Sequence, residues 1–234
     1  MPKQRSAIVL VGGEARRAEG KEKYFFTFHG RTFLSILIES LNEVVDEIVL
    51  VARDPEQCRR FHGIEEVRCV TDLRPGLGPI GGLHAGSLAA TGDYVFVSAC
   101  DMPCISPKVV NLLFDRIGDC DAAIPSWNSD MIEPLHAVYR REALITYLES
   151  HDSLSLRAMV RSLNACYVPV EELRALGIEP VQGPEGVVAF PAIRDGRRVC
   201  LSWKLGEPEV LFWHELDGGY RRRKPLGAAS LASR

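Results

Sequence analysis

Apolar residues occur in short continuous runs along the first two thirds of the chain, with helical patterns between them. Residues 7–11, 47–52 and 93–99 are runs rich in branched and aromatic side chains, which is typical of strands buried on both faces of a parallel sheet. Between the first two runs, apolar positions recur at helical spacing over residues 33–44. The order of strand, helix and strand predicts a βαβ unit.

The same alternation continues to about residue 170. Further strands are predicted at residues 67–70, 122–125, 136–139 and 166–170, and further helices at residues 83–90, 108–117, 141–149 and 155–163. Alternation over this length predicts a three-layer α/β/α domain with a mostly parallel sheet, which we place at residues 1–178.

The last quarter of the chain lacks the alternation of apolar runs and helical patterns. Glycine and proline interrupt any periodic pattern at Gly177, Pro180, Gly183, Pro184 and Gly186. Short strand candidates follow at residues 187–190, 199–203 and 210–213, and Asp195–Gly196 supplies turn residues for a hairpin between the first two. Residues 179–234 are therefore predicted to form a linker, a short β-rich extension and a frayed tail.

Composition and charge narrow the range of partners. The 234 residues are 46% hydrophobic and 25% charged, as in an ordinary globular protein, and the formal net charge is -3. Without an overall basic field, the chain is expected to bind neither nucleic acid nor a membrane surface. No apolar run reaches the roughly 20 residues of a membrane helix and no signal peptide is evident, so a cytoplasmic location is predicted. The seven cysteines lack metal-binding spacing and are assigned no chemistry.

The first loop combines glycine with cations. Gly12 and Gly13 follow the first strand directly, and basic side chains that include Arg17 and Lys23 come next. Glycines let backbone N–H groups approach an anion, and cations neutralise the charge of a triphosphate, so the loop is typical of nucleotide binding. It matches neither a P-loop nor a dinucleotide-binding fingerprint. A simple turn with exposed charges is the alternative.

Two further loops follow predicted strands. Residues 72–82 begin with Asp72, contain four glycines and lead into a helix predicted to begin near Leu83, which suggests close approach of the backbone to a base or ribose. Asp101 follows the apolar run that ends at Ala99, at the edge where open α/β sheets bind ligands. A carboxylate there suits Mg²⁺ that bridges phosphate oxygens. A solvent loop and a helix-capping Asp are the respective alternatives.

Taken together, the three loops resemble a known family. The residues that carry the resemblance are Leu10-Val11-Gly12-Gly13 with Arg17 and Lys23, Asp72 with Gly78-Pro79-Ile80-Gly81-Gly82-Leu83, Cys100-Asp101-Met102-Pro103, and Glu133-Pro134-Leu135-His136-Ala137-Val138-Tyr139. Over about residues 6–170 the chain resembles the molybdenum cofactor guanylyltransferases, the MobA-like branch of the nucleotidyltransferases with a Rossmann-like sheet.

The resemblance implies a reaction and its participants. It implies transfer of GMP from GTP to the terminal phosphate of molybdenum-bearing molybdopterin, with release of pyrophosphate and a requirement for Mg²⁺. GTP and molybdopterin are the implied substrates, and molybdenum-insertion proteins or molybdoenzymes are the implied protein partners.

The resemblance also implies roles for individual residues. Guanine and ribose would meet Leu10, Val11 and Gly12, whereas the triphosphate would meet Gly13, Arg17 and Lys23. Further nucleotide contacts would come from Asp72, Gly78 and Gly81. Asp101 would hold Mg²⁺, and the implied catalytic residues are Arg17, Lys23 and Asp101. The segment around His136 would line the acceptor side, although a histidine in an apolar strand is more often a packed core residue.

Two departures from the family pattern leave other functions open. Ala18 and Glu19 stand where the family usually has Met and Gly, and nothing after Val170 matches the Asn-x-Asn-Thr segment that helps to complete the metal site. One alternative is therefore a catalytically impaired accessory protein that binds GTP or molybdopterin. Independently of these departures, the closest rival among enzymes is a cytidylyltransferase that makes the cytosine form of the same cofactor, although by family pattern Gly12-Gly13 and Gly78-Pro79-Ile80-Gly81-Gly82 favour guanine.

Overall fold

The computed structural model describes residues 4–12, 27–28, 31–100, 102, 105–128, 131–176, 181–182, 188–189, 192–194, 197–204 and 207–212. Its strands up to residue 170 are β1 (Arg5–Leu10), β2 (Thr27–Phe28), β3 (Arg31–Thr32), β4 (Glu47–Ala52), β5 (Arg68–Thr71), β6 (Tyr94–Ala99), β7 (Ala122–Asn128), β8 (Met131–Ile132), β9 (His136–Arg140) and β10 (Ala165–Pro169). Its helices are α1 (Phe33–Asn42), α2 (Pro55–Arg59), α3 (Pro79–Ala89), α4 (Pro107–Arg116), α5 (Arg141–Ser150), α6 (Leu156–Ser162) and α7 (Val170–Ala175).

The chain divides into two compact units. One consists of Met1–Gly13, Ile38–Ala99 and Pro107–Val170, and the other of Glu14–Leu37, Cys100–Ser106 and Glu171–Arg234. The first unit contains the main sheet, whose strand order is β10-β7-β9-β6-β1-β4-β5, with β8 paired to β7. In that sheet β1 runs parallel to β4 and β6, whereas β9 runs antiparallel to β6 and β7. The predicted α/β fold with a mostly parallel sheet is confirmed.

Burial explains why the central strands are continuous apolar runs. Ile8 of β1, Val49 of β4 and Val97 of β6 are fully buried, because the sheet is covered on both faces at its centre. These three strands end at the same edge of the sheet, and Leu10 lies opposite Val51 on one side and Ala99 on the other. This edge is where the predicted loops begin.

Helix α3 begins earlier than the sequence pattern indicated. A start near Leu83 was expected, but the helix begins at Pro79, and Gly81 and Gly82 lie inside it. Proline suits the first turn of a helix because that position has no intrahelical partner for an N–H group. Gly81 is the more tightly packed of the two, since a Cβ at residue 81 would lie 2.7 Å from the Arg74 backbone carbonyl oxygen, whereas a Cβ at residue 82 would reach only the end of the Leu10 side chain, at 3.0 Å. The prediction of a loop through residue 82 is therefore wrong, and its glycines serve close contact between helix and sheet.

Short elements account for the other differences from prediction. Helix α2 is five residues long and α7 is six, so neither spans two turns of apolar periodicity. Beyond residue 176 the described strands are β11 (Val181–Gln182), β12 (Val188–Ala189), β13 (Ala192–Arg194), β14 (Arg197–Lys204) and β15 (Glu207–Phe212). Strands β13, β14 and β15 form an antiparallel sheet in which Arg194 lies opposite Arg197. The predicted turn pair Asp195–Gly196 lies outside the described residues.

Glu47 stabilises the opposite, amino-terminal edge of the main sheet. Its Oε2 accepts hydrogen bonds from the Ser6 hydroxyl (2.8 Å), the Thr91 backbone N–H (2.8 Å) and the Thr91 hydroxyl (2.9 Å), and Arg68 Nη2 donates to Oε1 (2.9 Å). Partial burial alone would raise the pKa of Glu47, but hydrogen bonds from Thr91, Ser6 and Arg68 together hold that pKa below its usual value. The ionised carboxylate therefore ties β1, β4 and β5 to the turn before β6.

Replacing Glu47 with Gln is expected to lower the free energy of unfolding by about 1–3 kcal/mol at neutral pH, because the amide cannot accept all four bonds. A carboxylate with a lowered native pKa contributes stability above its unfolded pKa and loses it as the pH falls through the native pKa. The difference between wild type and Glu47→Gln should therefore shrink in acid. Urea unfolding at neutral and acid pH measures it, and a difference that stays constant with pH contradicts the assignment.

Candidate functional site

Three strand ends meet at the carboxyl edge of the main sheet. The Val11 N–H, just after β1, donates to the Val51 carbonyl of β4 (3.0 Å), and the Asp72 N–H, just after β5, donates to the Ala52 carbonyl (2.8 Å). The first and second predicted loops therefore start side by side, with the end of β4 between them. This is the edge where ligands bind in open α/β sheets.

Gly12 packs against the end of β4. A Cβ at residue 12 would lie 2.7 Å from the Arg53 backbone nitrogen and 3.1 Å from the Ala52 carbonyl carbon. Both of these are backbone atoms, so a side chain at residue 12 could be accommodated only by moving the chain. The glycine predicted to approach a nucleotide thus also fixes the first loop against β4.

Asp72 and Gly81 are in contact at the start of α3. The Arg74 N–H donates to Asp72 Oδ1 (2.7 Å), which closes a tight turn after β5. A Cβ at residue 81 would lie 2.6 Å from the same carboxylate oxygen and 2.7 Å from the Arg74 carbonyl oxygen. Within the described residues Asp72 Oδ2 accepts no hydrogen bond. The carboxylate therefore stands beside the first turn of α3 with one oxygen committed to the turn.

Gly78 precedes α3 in a conformation that favours glycine. Its φ of 64° lies in the left-handed region, whereas no atom lies within 4 Å of where its Cβ would be. No side chain caps the helix at this position. The N–H groups of the first turn are therefore without a side-chain cap among the described residues, and helix N-termini of this kind favour anions.

The remaining predicted site residues differ in what the structure describes. Leu10 contacts the first turn of α3 at Gly82 and lies opposite Ala99, the last residue of β6. The structure thus brings together Leu10, Val11, Gly12, Asp72, Gly78 and Gly81. The predicted site residues Gly13, Arg17, Lys23 and Asp101 lie outside the described residues.

Metal-binding side chains do not cluster in the described part of the chain. No group of three or more His, Cys, Asp or Glu residues there could hold a metal ion. Mg²⁺ commonly uses only one or two carboxylates together with phosphate oxygens and water, so a donor set built on a single Asp suits this ion.

Among the described helices, none has the length and apolar character to cross a membrane.

Helix α2 contributes residues that the sequence analysis missed. Asp54 caps the helix by accepting from the Gln57 N–H (2.7 Å), and Pro55 occupies its first turn. This hydrogen bond, together with one from Arg53, holds the pKa of Asp54 below its usual value. Gln57 is buried and contacts the first loop through its side chain. The Asp-Pro pair was a usable start signal, but nothing in the local pattern pointed from α2 to the site.

His136 is a core residue of β9. It is 1% exposed, pairs with Ser98 of β6 and packs its ring edge-on against Phe96 at a centroid distance of 5.1 Å. Burial lowers the pKa of His136 to about 3, so the ring is neutral at physiological pH. The packed-core interpretation agrees with this geometry, and the residue is not positioned here as an acid or base.

The buried neutral ring makes folding sensitive to mild acid. An unfolded histidine takes up a proton near pH 6.5, whereas the native His136 stays neutral far below it, so stability falls as the pH drops below that value. Between about pH 7.5 and about pH 5.5, wild type should lose about 1.4 kcal/mol more than His136→Gln. Urea unfolding of both proteins at the two pH values measures this difference, and equal losses contradict it.

A concave surface lies at the opposite, amino-terminal edge of the main sheet. It is a groove of about 770 Å³ beside the start of β1 and β6. Arg5 crosses it, donating to Asn111 Oδ1 (2.7 Å) with its guanidinium 4.5 Å from the centre of the Phe114 ring. Ligand sites of mostly parallel sheets lie at the carboxyl edge, so the groove is not the predicted nucleotide site.

Comparison with known proteins identifies relatives of the chain. The MobA-like NTP transferase domain family matches residues 7–166, and a second family, described as an uncharacterized conserved protein, matches residues 109–226. A probable molybdenum cofactor guanylyltransferase of Methanosarcina acetivorans is 39% identical over 188 residues, which cover 76% of this chain and 83% of the relative. A protein of the same description from Methanosarcina mazei is 42% identical over 146 residues, or 60% of this chain and 65% of the relative.

A solved structure has the same fold. It is molybdopterin-guanine dinucleotide biosynthesis protein A of Archaeoglobus fulgidus, with 32% sequence identity and a TM-score of 0.62 over 73% of this chain and 86% of that one. The family match covers β1 from Ala7 onward, the Asp72 turn, α3 and β9, which carry many of the residues on which the resemblance was based. By fold, by motif and by sequence, the chain belongs to the MobA-like NTP transferase family.

Proposed function

We propose that this protein transfers GMP from GTP to the terminal phosphate of molybdenum-bearing molybdopterin and releases pyrophosphate. The observation that carries the proposal is the meeting of the first loop, the Asp72 turn and the start of α3 at one edge of the sheet. The similarity to proteins named as molybdenum cofactor guanylyltransferases supports the choice of guanine and of this acceptor.

The nucleoside end of GTP is proposed to lie against Leu10, Val11 and Gly12. Their backbone is fixed by β4, so the loop needs little reorganisation when the nucleotide binds. Asp72 is proposed to contact the nucleotide through Oδ2, because Oδ1 is committed to the Arg74 N–H. Gly78 and Gly81 allow the nucleotide to approach the uncapped first turn of α3.

The triphosphate end is proposed to be held by residues of the first loop and by Asp101. Gly13 would supply a backbone donor, and Arg17 and Lys23 would neutralise charge on the phosphates. Asp101 would hold Mg²⁺, which neutralises phosphate charge when it is bound. Transfer then requires an acceptor phosphate oxygen in line with the leaving pyrophosphate, and the protein contributes placement and charge stabilisation without a nucleophile of its own.

Partners follow from the proposed reaction. A protein that supplies the molybdenum-bearing acceptor and a molybdoenzyme that receives the product are the expected neighbours in the pathway. Two other functions remain as alternatives, a cytidylyltransferase for the same cofactor and a binding protein without turnover. The observation that favours the latter is the lack of an Asn-x-Asn-Thr segment after Val170, together with the departures at Ala18 and Glu19.

Nucleotide binding tests the proposal before any turnover is measured. Equilibrium dialysis with Mg²⁺ should give tight binding of GTP and at least about tenfold weaker binding of CTP, as expected for a site with specific hydrogen bonds to one base. Preference for CTP would favour the cytidylyltransferase. Absence of binding to either nucleotide would overturn the proposal.

A further inference from the structure

Gln57 is a buried amide that joins α2 to the first loop. Its side chain is part of a residue that is only 1% exposed, and its Nε2 donates to the Val11 carbonyl (3.2 Å) while its Oε1 accepts from the Arg53 N–H (2.7 Å). The residue lies 46 positions from Val11 in the sequence. Gln57 thus connects the turn after β1 with the turn after β4 through one side chain.

The two hydrogen bonds fix the orientation of the amide. A backbone N–H can only donate and a backbone carbonyl can only accept, so the oxygen of Gln57 must face Arg53 and the nitrogen must face Val11. Asp54 holds the start of α2 by accepting from the Gln57 N–H (2.7 Å). The carboxylate of Asp54 also pairs with Arg53 Nε (2.9 Å), so the charges beside the amide neutralise each other.

Both polar groups of the Val11 backbone are engaged by this arrangement. The N–H donates to Val51 of β4 and the carbonyl accepts from Gln57 of α2. These two bonds fix the orientation of the peptide that links Val11 to Gly12. Gly12 in turn has no space for a Cβ against the Arg53 backbone, whose N–H is the second partner of Gln57. One amide therefore controls both sides of the contact between the first loop and β4.

We propose that Gln57 is a positioning residue that sets the geometry of the nucleoside-binding backbone at Val11 and Gly12. This inference rests on the proposed function, which puts the guanosine end of GTP against these residues. Gln57 acts through the Val11 peptide and touches no reacting atom. Loss of its donor should therefore weaken binding of a nucleoside triphosphate and leave binding of a bare triphosphate unchanged.

A glutamate in place of Gln57 makes the missing donor controllable by pH. When ionised, the carboxylate of Gln57→Glu can accept from the Arg53 N–H. Its other oxygen then faces the Val11 carbonyl oxygen, and no hydrogen bond forms because both atoms are acceptors. When protonated, it restores one donor and one acceptor in almost the same positions. Burial raises the pKa of such a carboxyl group, so it should become protonated in mildly acidic solution. Gln57→Met keeps the length of the side chain without either hydrogen bond and serves as the matched control.

The test measures the Kd of GTP and of inorganic tripolyphosphate for the full chain, with Mg²⁺, from about pH 5.5 to about pH 8.5, which brackets the titration of a buried glutamate. Relative to wild type at the same pH, Gln57→Glu should bind GTP about tenfold more weakly in base, because an unsatisfied buried carbonyl costs about a factor of ten in affinity. In acid its affinity for GTP should approach that of wild type. Gln57→Met should be weakened at every pH. Tripolyphosphate should bind all three proteins equally.

The outcomes separate this inference from the proposed function. If wild type binds GTP and both variants bind it equally well at every pH, Gln57 has no positioning role. If both variants lose GTP and tripolyphosphate to the same extent, the side chain supports folding only, and the inference is again overturned. If wild type binds no GTP, the proposed function fails, and the role assigned to Gln57 fails with it.

Discussion

Replacing Asp101 with Asn is expected to lower kcat for nucleotide transfer by about 10²-fold to 10³-fold, while the Kd of GTP changes by no more than a few-fold. An amide has nearly the shape of the carboxylate but cannot supply the negative oxygen that the proposed Mg²⁺ site requires. Charge stabilisation matters most when the pyrophosphate leaves, so the loss should fall on turnover rather than on binding. Single-turnover transfer at saturating GTP separates the two quantities.

Asp93→Asn is the matched control for this experiment. Asp93 carries the same charge change but precedes β6 at its amino-terminal end, and it is exposed. Its activity should stay at the wild-type level. Equal turnover by Asp101→Asn and wild type would remove Asp101 from the proposed metal site.

Replacing Gly81 with Ala is expected to weaken both folding and GTP binding. The new Cβ would meet Asp72 Oδ1 at 2.6 Å and the Arg74 carbonyl at 2.7 Å, so the turn after β5 must move. Overpacking of this kind costs about 1–3 kcal/mol of unfolding free energy, and displacement of the Asp72 carboxylate should raise the Kd of GTP by about tenfold. Thermal unfolding and equilibrium dialysis of the same preparation measure the two effects.

Gly82→Ala is the comparison that isolates the contact with Asp72. Its Cβ would meet only the mobile end of the Leu10 side chain at 3.0 Å and Val51 at 3.6 Å, and alanine favours the helix. The melting temperature should therefore change far less than in Gly81→Ala. Similar losses in both variants would mean that any side chain in the first turn of α3 is disruptive, whatever it faces.

The central strands could be predicted because a strand that is buried on both faces is a continuous run of apolar residues. Residues 47–52 are an example, since the predicted strand and β4 coincide (Glu47–Ala52). The start of α3 could not be predicted by the same means. Glycine normally indicates a loop, and only the contacts of Gly81 with Asp72 and of Gly82 with Leu10 reveal why glycine stands inside this helix.

The candidate site was predicted in part for the same physical reason. Leu10 ends β1, Val11 and Gly12 follow it, and Asp72 follows β5, so the parallel arrangement of β1, β4 and β5 brings these residues to one edge. Gln57 was missed because its role depends on a contact between residues far apart in sequence, made by a helix too short for a periodic signal. Such contacts follow from the packing of elements rather than from any local pattern.

Nucleotide transfer itself tests the central claim most directly. Purified protein, Mg²⁺ and molybdenum-bearing molybdopterin should be incubated with GTP or with CTP, and both pyrophosphate release and the dinucleotide product should be measured. We expect GTP to support release and product in equal amounts and CTP to support neither. Product from CTP alone, or no product from either nucleotide, would contradict the proposed guanylyltransferase.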